Sequence, residues 1–143
     1  IEEKIEMTRT LGIDFGDSRV GIALSDPMRI IAKPLETLIN DSKLFTKIKG
    51  IVDNNNVSEL VVGYPIGMKG QKTKQTEKVE KFVDTLKSEI SQQIYTVDER
   101  LSSVAAKDSL ILQGIKTGYN KSLIDSTSAA IILQEFLDSK KWY

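Results

Sequence analysis

Three acidic residues stand where acids are costly. Asp14 lies inside the apolar run Leu11-Gly12-Ile13-Asp14-Phe15-Gly16, and Glu99 follows the strand-like segment 94–98, IYTVD. Asp125 shares a helical stripe with Ala129, Ile132 and Phe136, at i, i+4, i+7 and i+11. An unpaired carboxylate taken out of water costs several kcal/mol, so each of these needs a partner. Each also has a plainer reading. Asp14 reads as a turn residue capping Gly16-Asp17-Ser18. Asp98 or Ser102 reads as the cap of the next helix, with Glu99 favouring its positive end. Ser122-Leu123-Ile124-Asp125 matches a capping box with Asp in place of the usual Glu or Gln. Together the three acids suit one chemistry. Carboxylate oxygens bind hard Mg2+ or Mn2+, and two such ions about 4 Å apart clamp the attacking and leaving oxygens of a phosphodiester.

What is missing points the same way. The 143 residues include no Cys and no His. That removes disulfides, thiol nucleophiles, Ser-His-Asp catalysis and His-ligated zinc, and leaves carboxylates, hydroxyls, Lys, Arg and Tyr.

The elements that must position these acids are legible from periodicity. Residues 8–15 and 19–25 form two apolar strands across the turn Gly16-Asp17-Ser18, and a third extended piece runs from Ala32 to Leu35. Asn40-Asp41-Ser42 opens a helix carrying Leu44, Phe45, Ile48, Ile51 and Val52 at helical spacing, which Asn54-Asn55-Asn56 stops. A buried strand over 59–63 leads into a Gly- and Lys-rich loop over 66–75, and the segment from Ile66 to Thr76 is expected to be mobile without nucleic acid. A second amphipathic helix follows, bearing Val79, Phe82, Val83, Leu86 and Ile90. After strand 94–98 come a helix over 102–113 and a last helix over 123–138. This order predicts an α/β fold with a mixed five-stranded sheet, an antiparallel meander followed by parallel crossovers, and helices on both faces.

Length and composition bound the rest. Residues 7–139 are expected to form one domain, and residues 1–6 (IEEKIE) are read as an N-terminal extension ahead of Met7. Twenty basic residues balance twenty acidic ones, which argues against a strongly basic non-specific binder of nucleic acid. No apolar run is long enough to span a bilayer and no basic-then-apolar leader opens the sequence, so no membrane partner is expected and a cytoplasmic setting is the default.

The segments LGIDFGDSRVGIALSD (11–26), VVGYPIGMKG (61–70), VDERLSS (97–103) and NKSLIDSTSAAIIL (120–133) resemble, in order, the YqgF family, also called RuvX. Its members are described both as Holliday junction resolvases and as nucleases that mature the small-subunit ribosomal RNA precursor. The resemblance implies a ribonuclease H-like fold. It also implies acidic catalytic and metal-binding residues at Asp14, Glu99 and Asp125, the same three reached above, with Mg2+ or Mn2+ as cofactor. Arg100 of the Asp-Glu-Arg motif is suited to hold a phosphate through paired donors, or else forms a surface ion pair. Lys69, Lys72 and Lys74 are candidates for substrate contact, although a merely solvated loop explains them as well. The wider resolvase superfamily often carries a fourth acid where this chain has Ser128, which puts strong turnover in question.

The resulting expectation is a metal-dependent nuclease that processes the 5′ end of pre-16S rRNA in ribosome biogenesis, with RNA ahead of DNA as partner. The alternatives are a Holliday junction resolvase, which needs two symmetric sites and hence a homodimer rather than a monomer, and a non-catalytic nucleic-acid-binding domain.

Overall fold

The structure, a computed structural model, describes residues 7–99 and 121–140. Arg100 and the helix expected over 102–113 lie outside the described residues.

Strand β1 (Arg9–Phe15) forms an antiparallel hairpin with β2 (Arg19–Ser25). Strand β3 (Ala32–Ile39) adds antiparallel to β2 at one edge. The chain then crosses through α1 (Leu44–Asn54) to β4 (Val57–Tyr64), which lies parallel to β1, and through α2 (Lys74–Glu89) to β5 (Gln93–Asp98), parallel to β4. The sheet order is β3-β2-β1-β4-β5, the mixed five-stranded sheet that the sequence predicts. The final helix, α3, spans Lys121–Ser139.

Strand alternation divides the side chains between two layers. Leu11, Ile13, Val20, Ile22, Leu60 and Val62 point to one face, where α1 and α2 cover them with Leu44, Ile48, Val52, Val79, Phe82 and Leu86. The other face carries Ala23 and Val61 under Ala129, Ile132, Leu133 and Phe136 of α3. Between them lie glycines. A Cβ on Gly12 would come within 2.7 Å of Leu133 Cβ, and one on Gly21 would overlap the carbonyl of Asp125. The backbone of α3 therefore rests almost directly on β1 and β2. Gln134 ties the helix to the start of β3, donating to Ile30 O at 3.0 Å and accepting from Ala32 N at 2.9 Å.

Three local readings are corrected. Strand β3 continues to Ile39 rather than ending near Leu35, because Thr37, Leu38 and Ile39 pair with Gly21, Val20 and Arg19. Pro34 and Glu36 hide it in the sequence, yet both are tolerated on an exposed edge strand. Helix α2 starts earlier than expected, at Lys74, since Thr73 and Thr76 form a capping box in which Thr replaces the usual Glu or Gln. Ser122 lies within α3, not ahead of it, so it is not the cap of a box closed by Asp125. The loop after β4 is closed by backbone bonds from Gly67 N to Gln71 O (2.7 Å) and from Gly70 N to Gly67 O (2.8 Å), with Gly70 at φ +82°.

A candidate carboxylate site at the end of the parallel strands

The site assembles at the C-terminal ends of β1 and β5, under the first turns described for α3. Asp14 is the last residue of β1 but one, and its strand position directs it to the α3 face along with Gly12. Glu99 follows β5, and its backbone N–H donates to Tyr64 O at 3.3 Å, which fixes the chain as it leaves the sheet. Asp125 sits on α3, held against the sheet by the close contact at Gly21.

Asp14 and Glu99 share a hydrogen bond. Burial is the main force on Asp14, reinforced by the Glu99 charge and bond and by the charge of Asp125, and together they push its carboxyl up to about 8. Glu99 is raised chiefly by burial, against the lowering effect of its bond with Asp14. Both carboxyls are therefore harder to ionise than isolated acids, and the pair competes for a shared proton. Glu99 Oε2 is buried and has no hydrogen-bond partner among the described residues. Gly63 opposite makes this possible, because a Cβ there would overlap that same oxygen.

Asp125 faces elsewhere. Its Oδ2 accepts from Arg19 Nε at 2.7 Å, an ion pair that sequence reasoning missed. The available signal was register. Arg19 and Gly21 alternate onto the α3 face of β2, so a residue two before a helix-contacting glycine must project toward the helix's first turns. The structure thus brings Asp14 and Glu99 into contact and Asp125 near enough to repel Asp14. Among the described residues, no group of three acids is already gathered closely enough to hold a metal ion. Ser128, where the resemblance to resolvases implies a fourth acid, is 2% exposed.

The donor set nonetheless fits a hard divalent cation. It consists of carboxylate oxygens only, one of them an orphan, and their mutual repulsion would be relieved by positive charge. Of the Lys candidates, Lys72 is held 3.1 Å from Glu80, Lys69 lies in the closed loop with its N–H on Gln71 Oε1, and Lys74 opens α2.

Comparison with known proteins agrees with this architecture. The family model described as "RuvX: Holliday junction resolvase" matches residues 8–139. A protein of Sulfurihydrogenibium sp. (strain YO3AOP1) named "Putative pre-16S rRNA nuclease" is 42% identical over 134 residues, covering 92% of this chain and 91% of its own. A protein of the same name from Roseiflexus sp. (strain RS-1) is 41% identical over 138 residues, covering 95% and 98%. Among solved structures, T. thermophilus RuvC in complex with a Holliday junction substrate superposes with a TM-score of 0.60 at 14% identity, covering 94% of this chain and 96% of that one. Fowlpox virus resolvase, in complex with Holliday junction DNA, gives 0.58 at 11%, covering 92% and 98%. These likenesses establish the ribonuclease H-like fold. By the family match along nearly its whole length, this chain belongs to the RuvX family.

Proposed function

We propose that this chain is a nuclease that hydrolyses phosphodiester bonds in the precursor of 16S ribosomal RNA, with Asp14, Glu99 and Asp125 as its catalytic carboxylates. The observation that carries the reading is the buried Asp14–Glu99 pair beside Asp125, with Glu99 Oε2 unpartnered among the described residues. A fold gains nothing from burying two acids against each other with a third nearby unless a cation or a phosphate-bound cation joins them.

Asp14, Glu99 and Asp125 would hold Mg2+ or Mn2+. Such an ion supplies positive charge at the scissile phosphate and a water that ionises near neutral pH. The protein's own part is positioning. Gly63 keeps space for the Glu99 carboxylate, and Gly21 sets the depth of Asp125. Asp14 must give up its proton to act as a ligand. Arg19 and Arg100 are placed in sequence to meet phosphate oxygens, Arg19 through the guanidinium nitrogens beyond its Nε bond to Asp125. The names of the relatives at about 40% identity support RNA as the substrate. Cleavage of four-way DNA junctions is the second reading, favoured by the family model's description and by the folds of RuvC and the poxvirus resolvase.

The test offers pre-16S rRNA, single-stranded RNA and a DNA four-way junction in parallel, with Mg2+ and with Mn2+. The wild type should cut the ribosomal precursor, and Asp125→Asn should lose at least a hundredfold in rate while unfolding cooperatively as before. Preferential cutting of the junction would move the substrate to DNA. Unchanged cutting by Asp125→Asn would remove that residue from the site.

A further inference from the structure

On the α1/α2 side of the sheet, at the strand end that carries Asp14, lies a cavity of about 290 Å3. Three rings form its apolar wall. Phe15 stacks on Phe82 at 4.5 Å and Phe45 on Phe82 at 5.6 Å, each tilted by 28°. Phe82 is buried between them, whereas Phe15 and Phe45 keep part of their surface open. The rim is polar. Asn40 donates its amide to Gly16 O at 2.9 Å, which leaves its side-chain oxygen to accept. Lys78 bridges to Asp17 at 3.1 Å, and Lys81 lines the opening.

The two lysines belong to a longer feature. Lys74, Lys78 and Lys81 recur at i, i+4 and i+7 of α2 and are all exposed, so they form one basic stripe from the loop after β4 to the cavity. Lys74 is the first residue of that helix, where a cation works against the helix dipole and weakens the fold slightly. A stripe that begins at such a position is better explained by an anion lying along it than by stability.

We propose that this cavity receives one unpaired nucleotide of the substrate strand, its base against Phe15 and Phe45 and its phosphate on Lys78 and Lys81. The proposal rests on the nuclease reading but concerns a separate binding site on the other face of the sheet. Size selects a single base, since 290 Å3 is at the lower end of ligand cavities. Chemistry selects a nucleotide, because open aromatic surface beside ammonium groups suits a flat π-system that carries a negative charge. A duplex keeps its bases stacked on one another and cannot offer one. Connectivity follows from β1 itself. Phe15 succeeds Asp14 and projects to the opposite face, so a strand that crosses the end of β1 passes from the carboxylates to the cavity. The site would hold a single-stranded flank next to the cleaved bond and so favour junctions between paired and unpaired RNA.

Binding without cleavage separates this proposal from the nuclease reading. Fluorescence anisotropy in EDTA would compare a short single-stranded RNA with an RNA duplex of the same length. Lys81→Gln is expected to weaken single-strand binding severalfold. Phe45→Leu, which keeps apolar volume but removes the ring, is expected to weaken it about tenfold and to leave duplex binding unchanged. Lys33→Gln removes one charge at the opposite end of the sheet, where Lys33 pairs with Leu24, and should change either affinity less than twofold. Wild-type binding of the single strand by Phe45→Leu would overturn the proposal. So would equal losses for Lys81→Gln and Lys33→Gln on both RNAs, which would reduce the stripe to general charge. Failure of the nuclease reading would show separately, as wild-type protein that binds the single strand but cuts nothing with Mg2+ or Mn2+.

Discussion

On the α1/α2 face of the sheet, Ile13, Ile22, Leu60 and Val62 present branched side chains to Leu44, Ile48 and Leu86, all nearly or fully buried. On the α3 face the intervening positions are Gly12, Gly21, Ala23, Val61 and Gly63. One face gains its stability from apolar volume. The other sacrifices side chains so that a helix backbone and a carboxylate can come close to the strands. The difference teaches where function sits in this fold. A layer filled with large side chains can adjust its packing, whereas a layer set by glycine contacts fixes Asp125 and Glu99 in depth and orientation.

The contrast can be broken most forcefully in the aliphatic layer. Leu60→Ala removes a fully buried side chain and should cost about 2–5 kcal/mol by lost transfer energy and a residual cavity. Chemical denaturation measures this directly. Cleavage per folded molecule should stay near wild type, and a large specific loss of activity would show that the two layers are coupled.

A second effect concerns the metal-free site. Asp14 is pushed from an ordinary 3.8 up to about 8. Between about pH 4 and pH 8 the folded chain holds a proton that the unfolded chain has released. Stability of the metal-free protein must therefore fall as pH rises through that window, by an amount on the order of a few kcal/mol. Asp14→Asn should flatten the profile and leave the protein more stable than wild type at pH 8 in EDTA. Urea midpoints at pH 5 and pH 8 for both proteins decide the matter. A wild-type midpoint that rises over the window would mean that the pair is already relieved by another cation.

Gly21→Ala probes the glycine layer. The added methyl group would overlap the Asp125 carbonyl, a backbone atom that cannot rotate away, so α3 must shift. Overpacking of this kind costs about 1–3 kcal/mol. Here, unlike at Leu60, cleavage should fall further than stability explains, because Asp125 moves with its helix. Equal activity per folded molecule would indicate that the depth of α3 is not limiting.

Much of this arrangement was legible in the sequence, and the reason differs by layer. Apolar periodicity located α1, α2 and strands β1, β2, β4 and β5, because burying one face leaves a period of 2 or 3.6 in the residue types. The acids stood out since they interrupted those periods. The stripe of Asp125 with Ala129, Ile132 and Phe136 did line a buried face. What escaped was close approach. The room made by Gly21 and Gly63 depends on packing against α3 and on the chain leaving β5, which no local pattern records. Arg19 escaped for the same reason, since its partner lies 106 positions away. The full length of β3 was hidden because an exposed edge strand imposes little on residue type.

Arg19 offers the smallest effect on stability and the finest test of the carboxylate face. Its bond to Asp125 joins side chains 39% and 24% exposed, so solvent screens the pair and its loss should cost no more than about 1 kcal/mol. The consequence for the site is larger. In the metal-free protein the guanidinium already neutralises Asp125, the acid that a divalent ion would need to share with Asp14 and Glu99. A cation entering the site must therefore displace Arg19 or work beside its positive charge. Arg19→Gln removes that competitor while retaining hydrogen-bonding groups. The Mn2+ concentration that half-saturates thermal stabilisation should fall severalfold, even where cleavage slows because a phosphate contact is lost. Lys in the same position keeps the charge and should leave the requirement close to wild type. If Arg19→Gln instead raises the Mn2+ requirement, the arginine is holding Asp125 in its ligand position, and the ion pair belongs to the assembled site rather than to its resting form.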